Sequence, residues 1–404
     1  MMRVFHLNPY LIFQILQDDC MSINTPDSHV NGILKQLSTP WKIALERANR
    51  IKNINLNDGL ILDLACGSGI QLAAYSYQLR RPCVGIEINS ERAEIAKKSL
   101  NLILENDLFN ECKIIIGDSL KKSEINLDKN IRFSLIHLDP ARPTDIQSHT
   151  ISEMQPPPIK TLEIWKDMLI ENGGIILDLS PRLSKKQCEE LERELNRVFP
   201  KYKQTWEWSS QGKGRVDRLS VWLGSVASKN NLSRYVRNHP KDIENSIIVE
   251  SNKLSWNKNN FELKEIDVKI NDYISIIDAA LISSGLEDEW LKSEEFEGVW
   301  LRKKGRRPLF LHSKQIKKNN KGKNLIFETG IVRSIIEHRI EEGVEPLIEI
   351  GNKLGFKKLT LRMKISPELQ PIFQSELDKK LVDLGDVGFV IKLPKNKLAI
   401  CTKI

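Results

Sequence analysis

From Leu60 onward the chain alternates between short unbroken apolar runs and longer stretches with apolar positions at helical spacing. Unbroken runs suit strands buried on both faces, and the longer stretches suit helices laid over a parallel sheet. The pattern predicts strands at "LILDLA", "PCVGIEI", "CKIIIGD", "FSLIHLD" and "GGIILDLS". It predicts helices at "IQLAAYSYQL", "SERAEIAKKSLNLILE", "IKTLEIWKDMLI" and "SKKQCEELERELNRVF". Next, "QTWEWSSQGKGRVDRLSVWLG" carries two β-rich runs around a glycine-containing turn and reads as an antiparallel hairpin. An open α/β sheet closed by that hairpin near residue 224 makes a complete domain.

The flanks differ. Upstream, "HVNGILKQLSTPWKIALERANRIKN" has helical spacing with a break near Pro40, so two helices lead into the sheet. Downstream, "SVASKNNLSRYVRNHPKD" is polar enough for a linker, and residues 260–300 give helical patterns such as "YISIIDAALISSGL". From residue 324, strands at "KLTLRMKI", "FVIKLP" and "KLAICTKI" mix with helices at "GIVRSIIEHRIEEG" and "ELQPIFQSELDKKL". The chain thus divides into a helical lead-in over 1–54, a core domain over 55–225, a linker and helical middle segment over 226–300, and a small α+β module over 301–404.

Composition narrows the function classes. The 404 residues carry a net charge of +8, which admits a polyanion as partner. Cys20, Cys66, Cys83, Cys112, Cys188 and Cys401 lie far apart with no CxxC pair, so a metal site is not expected. Free thiols suit a reducing cytosol and a cytoplasmic protein. No apolar run is long enough to span a bilayer, and no membrane partner is expected. The opening apolar patch lacks a signal-peptide cleavage site, and Met21 is an alternative initiator.

The candidate chemistry begins at "LILDLACGSGIQ". In a parallel α/β sheet, ligands bind outside the carboxyl ends of the strands, where a turn meets a helix N-terminus. Gly67 and Gly69 let backbone approach a ligand closely. A dinucleotide turn wants GxGxxG, but Leu72 stands at the third glycine position. Asp63, Ala65, Cys66, Gly67 and Gly69 follow the DxxxGxG pattern, which resembles the S-adenosylmethionine turn of class I methyltransferases. Glu87, followed by Ile88, ends the second strand, where a carboxylate can accept hydrogen bonds from ribose hydroxyls. Asp118, followed by Ser119, ends the third, and Asp139 ends the fourth. A plainer reading has Asp63 and Glu87 only capping helices.

Beyond the superfamily, "WKIALERA", "LDLACGSG", "GIEINSERAEIAKKS", "GDS", "LDPARP" and the Trp-rich hairpin resemble the THUMP-like class I methyltransferases. That family pairs a Rossmann-like methyltransferase sheet with a C-terminal THUMP-like module, to which "LGFKKLTLRMKI" and the closing strands are similar. The resemblance implies S-adenosyl-L-methionine as cofactor, with Asp118 facing the adenine amine and Ser119 adding a backbone contact. It also implies methylation of RNA, and it departs from the family at Pro143, where "DPARR" is expected.

The loop after strand four faces the atom to be methylated. Amine methylases of bases carry (D/N)PP(Y/F); here Asp139 and Pro140 fit, while Ala141 and Arg142 replace the second proline and the aromatic. Arg142 is a candidate for base stacking or phosphate contact, or else a surface arginine paired with Asp145. Pyrimidine C5 transfer needs a cysteine nucleophile, and none stands in "LDPARP"; Ser180 ends strand five, and Cys188 reads as a packed helix residue. An amine or ring nitrogen remains as acceptor, with Asp139 as hydrogen-bond acceptor or weak base. "QPPPIK" reads as a stiff lead into its helix, and Trp206 and Trp208 as core.

Between Leu301 and Gly330 stand Arg302, Lys303, Lys304, Arg306, Arg307, Lys314, Lys317, Lys318, Lys321 and Lys323 against the single acid Glu328. That excess is larger than the net charge of the whole chain, so the charge is concentrated, as in polyanion binders. Phe310 and His312 interleave with the cations as single-strand binders often show. RNA capture by this region is the leading expectation. Methylation of a small molecule or protein is the alternative, as is a non-catalytic scaffold that retains the cofactor fold.

Overall fold

The computed structural model describes residues 29–32, 38–54, 56–142, 150–212, 214–238, 246–254, 256, 266–314 and 325–404. Most of the first lead-in helix, Met21, Cys20, Pro143, Asp145, Lys317, Lys318, Lys321 and Lys323 lie outside the described residues. The chain divides into two compact units, Met1–Glu207 with Arg218–Asn230, and Trp208–Asp217 with Asn231–Ile404.

The first unit opens with helix α1 (Trp41–Lys52), then alternates β1 (Leu60–Asp63), α2 (Ile70–Leu79), β2 (Cys83–Glu87), α3 (Ser90–Ile103), a short α4 (Asn106–Asn110), β3 (Lys113–Ile116) and β4 (Phe133–Leu138). It continues with α5 (Pro158–Trp165), β5 (Leu169–Leu179), α6 (Lys185–Val198), β6 (Gln204–Ser210) and β7 (Arg218–Gly224). The strand order is β3-β2-β1-β4-β5-β7-β6. The first five pair in parallel, and β7 runs antiparallel to β5. β2 and β4 are buried at every residue, which explains their unbroken apolar runs, while the outermost β3 is half exposed. Ile51, Ala44 and Ala48 of α1 join Leu72, Ala73 and Ile61 in one core.

Local sequence sets the helix ends. Asn89 caps α3 by accepting from the Arg92 amide, and Ser184 with Gln187 makes a capping box before α6. Cys188, Leu191, Leu195 and Val198 form the buried stripe of α6. The helix expected over "IKTLEIWKDMLI" ends at Trp165, and Leu169 and Ile170 instead open β5, where Leu169 pairs with Phe133. Trp206 and Trp208 are buried, as the core reading holds.

In the second unit, β8 (Ser233–Arg237) and β9 (Ile247–Ser251) pair antiparallel, so the polar segment read as a linker carries a strand, β8. A seven-stranded sheet follows, built from β10 (Tyr273–Ile277), β11 (Val299–Arg302), β12 (Leu309–His312), β13 (Ile326–Glu337), β14 (Phe356–Leu361), β15 (Asp386–Lys392) and β16 (Lys397–Lys403). Its order is β11-β12-β10-β13-β16-β15-β14. Helices α7 (Ala279–Ser284), α8 (Glu287–Ser293), α9 (Glu345–Lys353) and α10 (Leu369–Lys380) complete an α+β unit.

Two helical expectations fail here. "YISIIDAALISSGL" divides into β10 and the short α7, with Asp278 between them accepting from the Ala280 amide. "GIVRSIIEHRIEEG" is the second half of β13 and a turn. The pairing of β13 with β16 slips by one residue between Val332 and Ser334, which resets the inward alternation and leaves apolar pairs four apart, mimicking a helix. Phe310 and His312 are buried on β12, Phe310 edge-on to Trp300 at 5.0 Å, so neither is an exposed base platform.

Candidate active site

Strand ends β1, β2 and β4 and the turns beyond β1 and β3 enclose a cavity of about 420 Å3. That is within the size range of small-molecule sites. The wall includes Asp63, Ala65, Cys66, Gly67, Glu87, Ile88, Asp118, Ser119, Asp139, Pro140 and Arg142. Four acids predicted from four strand ends therefore do converge. Of the residues expected around the cofactor or acceptor, only Gly69 lies outside that wall.

Gly69 has a different duty. It sits at φ +74° as the N-cap of α2, and a Cβ there would come within 2.8 Å of the Ala96 backbone on α3. Its missing side chain lets α2 pack closely against α3. Gly67, at φ +54°, has nothing within 4 Å of where its Cβ would stand, so it is the glycine that keeps the cavity open. The Gly67 amide donates to Glu87 Oε2 at 2.9 Å and the Asn89 amide to Oε1 at 3.0 Å, tying the turn to the end of β2. Asp118 Oδ1 accepts from the Leu120 amide at 2.9 Å, and the Ser119 carbonyl accepts from Trp165 Nε1 at 2.8 Å.

Beneath the acids lies a buried charge network that sequence reasoning missed. His137 on β4 donates from Nδ1 to Asp63 Oδ2 at 2.7 Å and from Nε2 to Asp178 Oδ2 at 3.2 Å. Two carboxylate partners require both ring nitrogens to carry protons, so the ring is an imidazolium. Burial alone disfavours that charge, but the Asp63 carboxylate and the hydrogen bonds to Asp178 and Asp63 outweigh it and push the pKa up to about 9. Asp178 on β5 also accepts from Arg47 Nη2 at 2.7 Å and from Arg218 Nη1. Burial would raise its pKa, yet Arg218, Arg47 and His137 hold it well below the carboxylate range. A histidine and an aspartate interrupting the apolar strands "FSLIHLD" and "GGIILDLS" were the available signal, since a buried ionisable group needs partners.

This network reaches the acceptor loop. Asp139 Oδ1 accepts from Arg142 Nη2 at 2.8 Å, and Oδ2 from Arg218 Nη1 at 3.3 Å. Arg142 Nη1 also donates to the Leu179 carbonyl at 3.0 Å, so its guanidinium is pinned between strands rather than free on a surface. Ala141 and Gln155 exchange backbone hydrogen bonds of 2.7 and 3.0 Å, which brings Gln155 and Pro156 to the cavity wall. "QPPPIK" is thus both the lead into α5 and part of the site.

Among the described residues lining the cavity, Cys66 carries a thiol, whose pKa burial pushes well above the ordinary value, with Asp63 and Glu87 adding to the shift. A protonated thiol is a poor nucleophile. Cys188 is packed in α6, with its thiol pushed up to about 12 by burial. Among the described residues no cluster of His, Cys, Asp or Glu is arranged to hold a metal ion, and no helix is long and apolar enough to cross a membrane.

No family model matches the sequence, and no curated protein does so significantly. Solved structures do match. The chain is similar to a candidate methyltransferase from Porphyromonas gingivalis W83, with a TM-score of 0.63 and 16% identity over 97% of this chain and 88% of that one. The likeness is one of fold. Looser likenesses are to the glycopeptide N-methyltransferase MtfA complexed with S-adenosyl-L-methionine (TM-score 0.33, 16% identity, 46% of this chain and 93% of that one) and to an rRNA methylase from Streptococcus thermophilus (TM-score 0.34, 11% identity, 46% and 97%).

Of the basic residues in the second unit, Lys304 and Arg306 stand on an exposed turn, while Arg302 and Arg307 are half-buried. Lys303 is paired with Glu287 at 2.8 Å, and the exposed Lys314 with Glu297 at 3.2 Å.

Proposed function

We propose that the chain is an S-adenosyl-L-methionine-dependent methyltransferase acting on a base nitrogen in RNA, with the basic THUMP-like second unit capturing the RNA. The observation that carries the cofactor reading is the convergence of Asp63, Glu87, Asp118 and Asp139 on one cavity beside the open glycine turn at Gly67. A cavity lined both by acids and by Ile86, Ile88 and Leu120 suits a ligand that combines hydroxyl and amino groups with a flat base. When bound, S-adenosyl-L-methionine supplies an electrophilic methyl group on a sulfonium.

The chain's own residues then have separable duties. Glu87 faces the cavity and offers its remaining lone pairs to hydroxyl groups. Asp139, fixed between two guanidinium groups, orients an N–H acceptor by accepting its hydrogen bond. Alignment of donor and acceptor supplies much of the rate in such a transfer. The concentration of cations in the second unit, and a Cys66 thiol that burial keeps protonated among the described lining residues, favour RNA nitrogen over pyrimidine carbon.

The test is transfer of labelled methyl from S-adenosyl-L-methionine to total RNA, protein and metabolite fractions, followed by nucleoside mass spectrometry. Label is expected in RNA on an N-methylated nucleoside. Asp139→Ala is expected to abolish transfer while leaving cofactor affinity within a few-fold. Label confined to protein or metabolites, or full turnover by the variant, would contradict the reading.

A further inference from the structure

We propose that Arg302, Arg307 and Arg362 form a phosphate-binding site in the second unit. The three are close enough for the charges of Arg302 and Arg362 to act on Arg307, and backbone carbonyls hold two of them. Arg302, at the end of β11, donates from Nη2 to the Arg307 carbonyl at 3.1 Å. Arg307 donates from Nη1 to the carbonyl of Met363 at 2.6 Å, the residue after Arg362. Arg362 Nε reaches Glu328 Oε2 at 2.6 Å, and Lys403 Nζ lies 3.3 Å from Glu328 Oε1.

Glu328 is the one carboxylate in this series, and it is already shared by Arg362 and Lys403. The carbonyls that hold Arg302 and Arg307 satisfy a donor but neutralise no charge. The remaining donors of these two guanidinium groups have no partner among the described residues. Burial, then the fields of Arg362 and Arg302, pull Arg307 below the usual arginine range, and burial does the same to Arg302. Half-buried like charges repel, and an anion seated among them removes that cost.

Guanidinium forks match the oxygens of phosphate better than they match a point charge. Arg362 also lies over the Phe327 ring at 5.0 Å, and that ring is 61% exposed, an apolar face of the kind on which bases stack. The site therefore fits a phosphate carried on a nucleotide chain or a free phosphate compound. Polynucleotide as the source rests on the RNA reading above; the anion site itself rests on the arginine geometry.

The experiment uses the full-length protein in two arms at matched ionic strength. Inorganic pyrophosphate is titrated calorimetrically, and a labelled single-stranded RNA is followed by anisotropy across a salt series. Arg307→Gln, which keeps a donor for the Met363 carbonyl, is compared with Lys186→Gln on α6, with circular dichroism confirming that both fold. Arg307→Gln is expected to weaken binding about tenfold or more, the loss of one charged hydrogen bond, and to reduce the RNA salt slope by about one contact. Lys186→Gln is expected to match the wild type. Pyrophosphate binding lost in Arg307→Gln, with no RNA binding by the wild type, supports the site and sinks the RNA reading. RNA binding weakened by the substitution without pyrophosphate binding supports the site with a polynucleotide as its source. Affinities for both ligands unchanged by Arg307→Gln would overturn the proposal, as would binding of neither ligand.

Discussion

Asp178 accepts hydrogen bonds from Arg47, His137 and Arg218 at a fully buried position, and two of the acids lining the cavity, Asp63 and Asp139, share its partners. His137 links Asp178 to Asp63, and Arg218 links it to Asp139. The result is a rigid charged floor whose groups hold one another in place. It has a pH signature. His137 has a folded pKa of about 9 against an ordinary 6.5, so it binds its proton more tightly when folded. Its stabilisation is fully present below pH 6.5 and is lost as pH rises through about 9. The shift corresponds to on the order of 3 kcal/mol. Urea unfolding between pH 6.5 and 10 is therefore expected to show a larger stability loss in the wild type than in His137→Gln. Parallel pH profiles for the two proteins would contradict an imidazolium at this position.

At the scale of elements, the turn between β1 and α2 separates two glycine roles that look alike in sequence. Gly69→Ala forces a Cβ into the Ala96 backbone at a positive φ and is expected to destabilise the first unit by about 1–3 kcal/mol. Gly67→Ala meets no neighbouring atom, so its stability cost is expected to be smaller, about 1–2 kcal/mol of backbone strain, with the larger loss in cofactor affinity. Denaturant unfolding and calorimetry on both variants check this, and equal effects on both readouts would contradict it. The parallel strands and their acids were legible because a strand buried on both faces leaves an unbroken apolar signature that ends where the turn begins. Strand β13 was not legible, because its bulge produces helical spacing in a strand. His137 and Asp178 were passed over because each is a single polar letter inside an apolar run, and their pairing is made only when β4 and β5 align in the sheet. Arg47 and Arg218 come from elements far apart in sequence, with no shared motif to announce them.

At the scale of the molecule, charge is unevenly spent. In the first unit, cations are matched to buried carboxylates, as Arg47 with Asp178 and Arg50 with Glu207 show. In the second unit, the arginines around Glu328 outnumber their acid. That contrast is what the proposed division of labour requires, with one unit holding a small cofactor and the other capturing a polyanion. The proposed cofactor site underlies both roles, and calorimetric titration of the full-length protein with S-adenosyl-L-methionine and with its demethylated product tests it. Saturable binding of both at one site per chain, weakened at least tenfold by Glu87→Ala with the fold intact, is the predicted result. An absence of binding heat for either ligand over a range of temperatures, or affinity unchanged by Glu87→Ala, would contradict it.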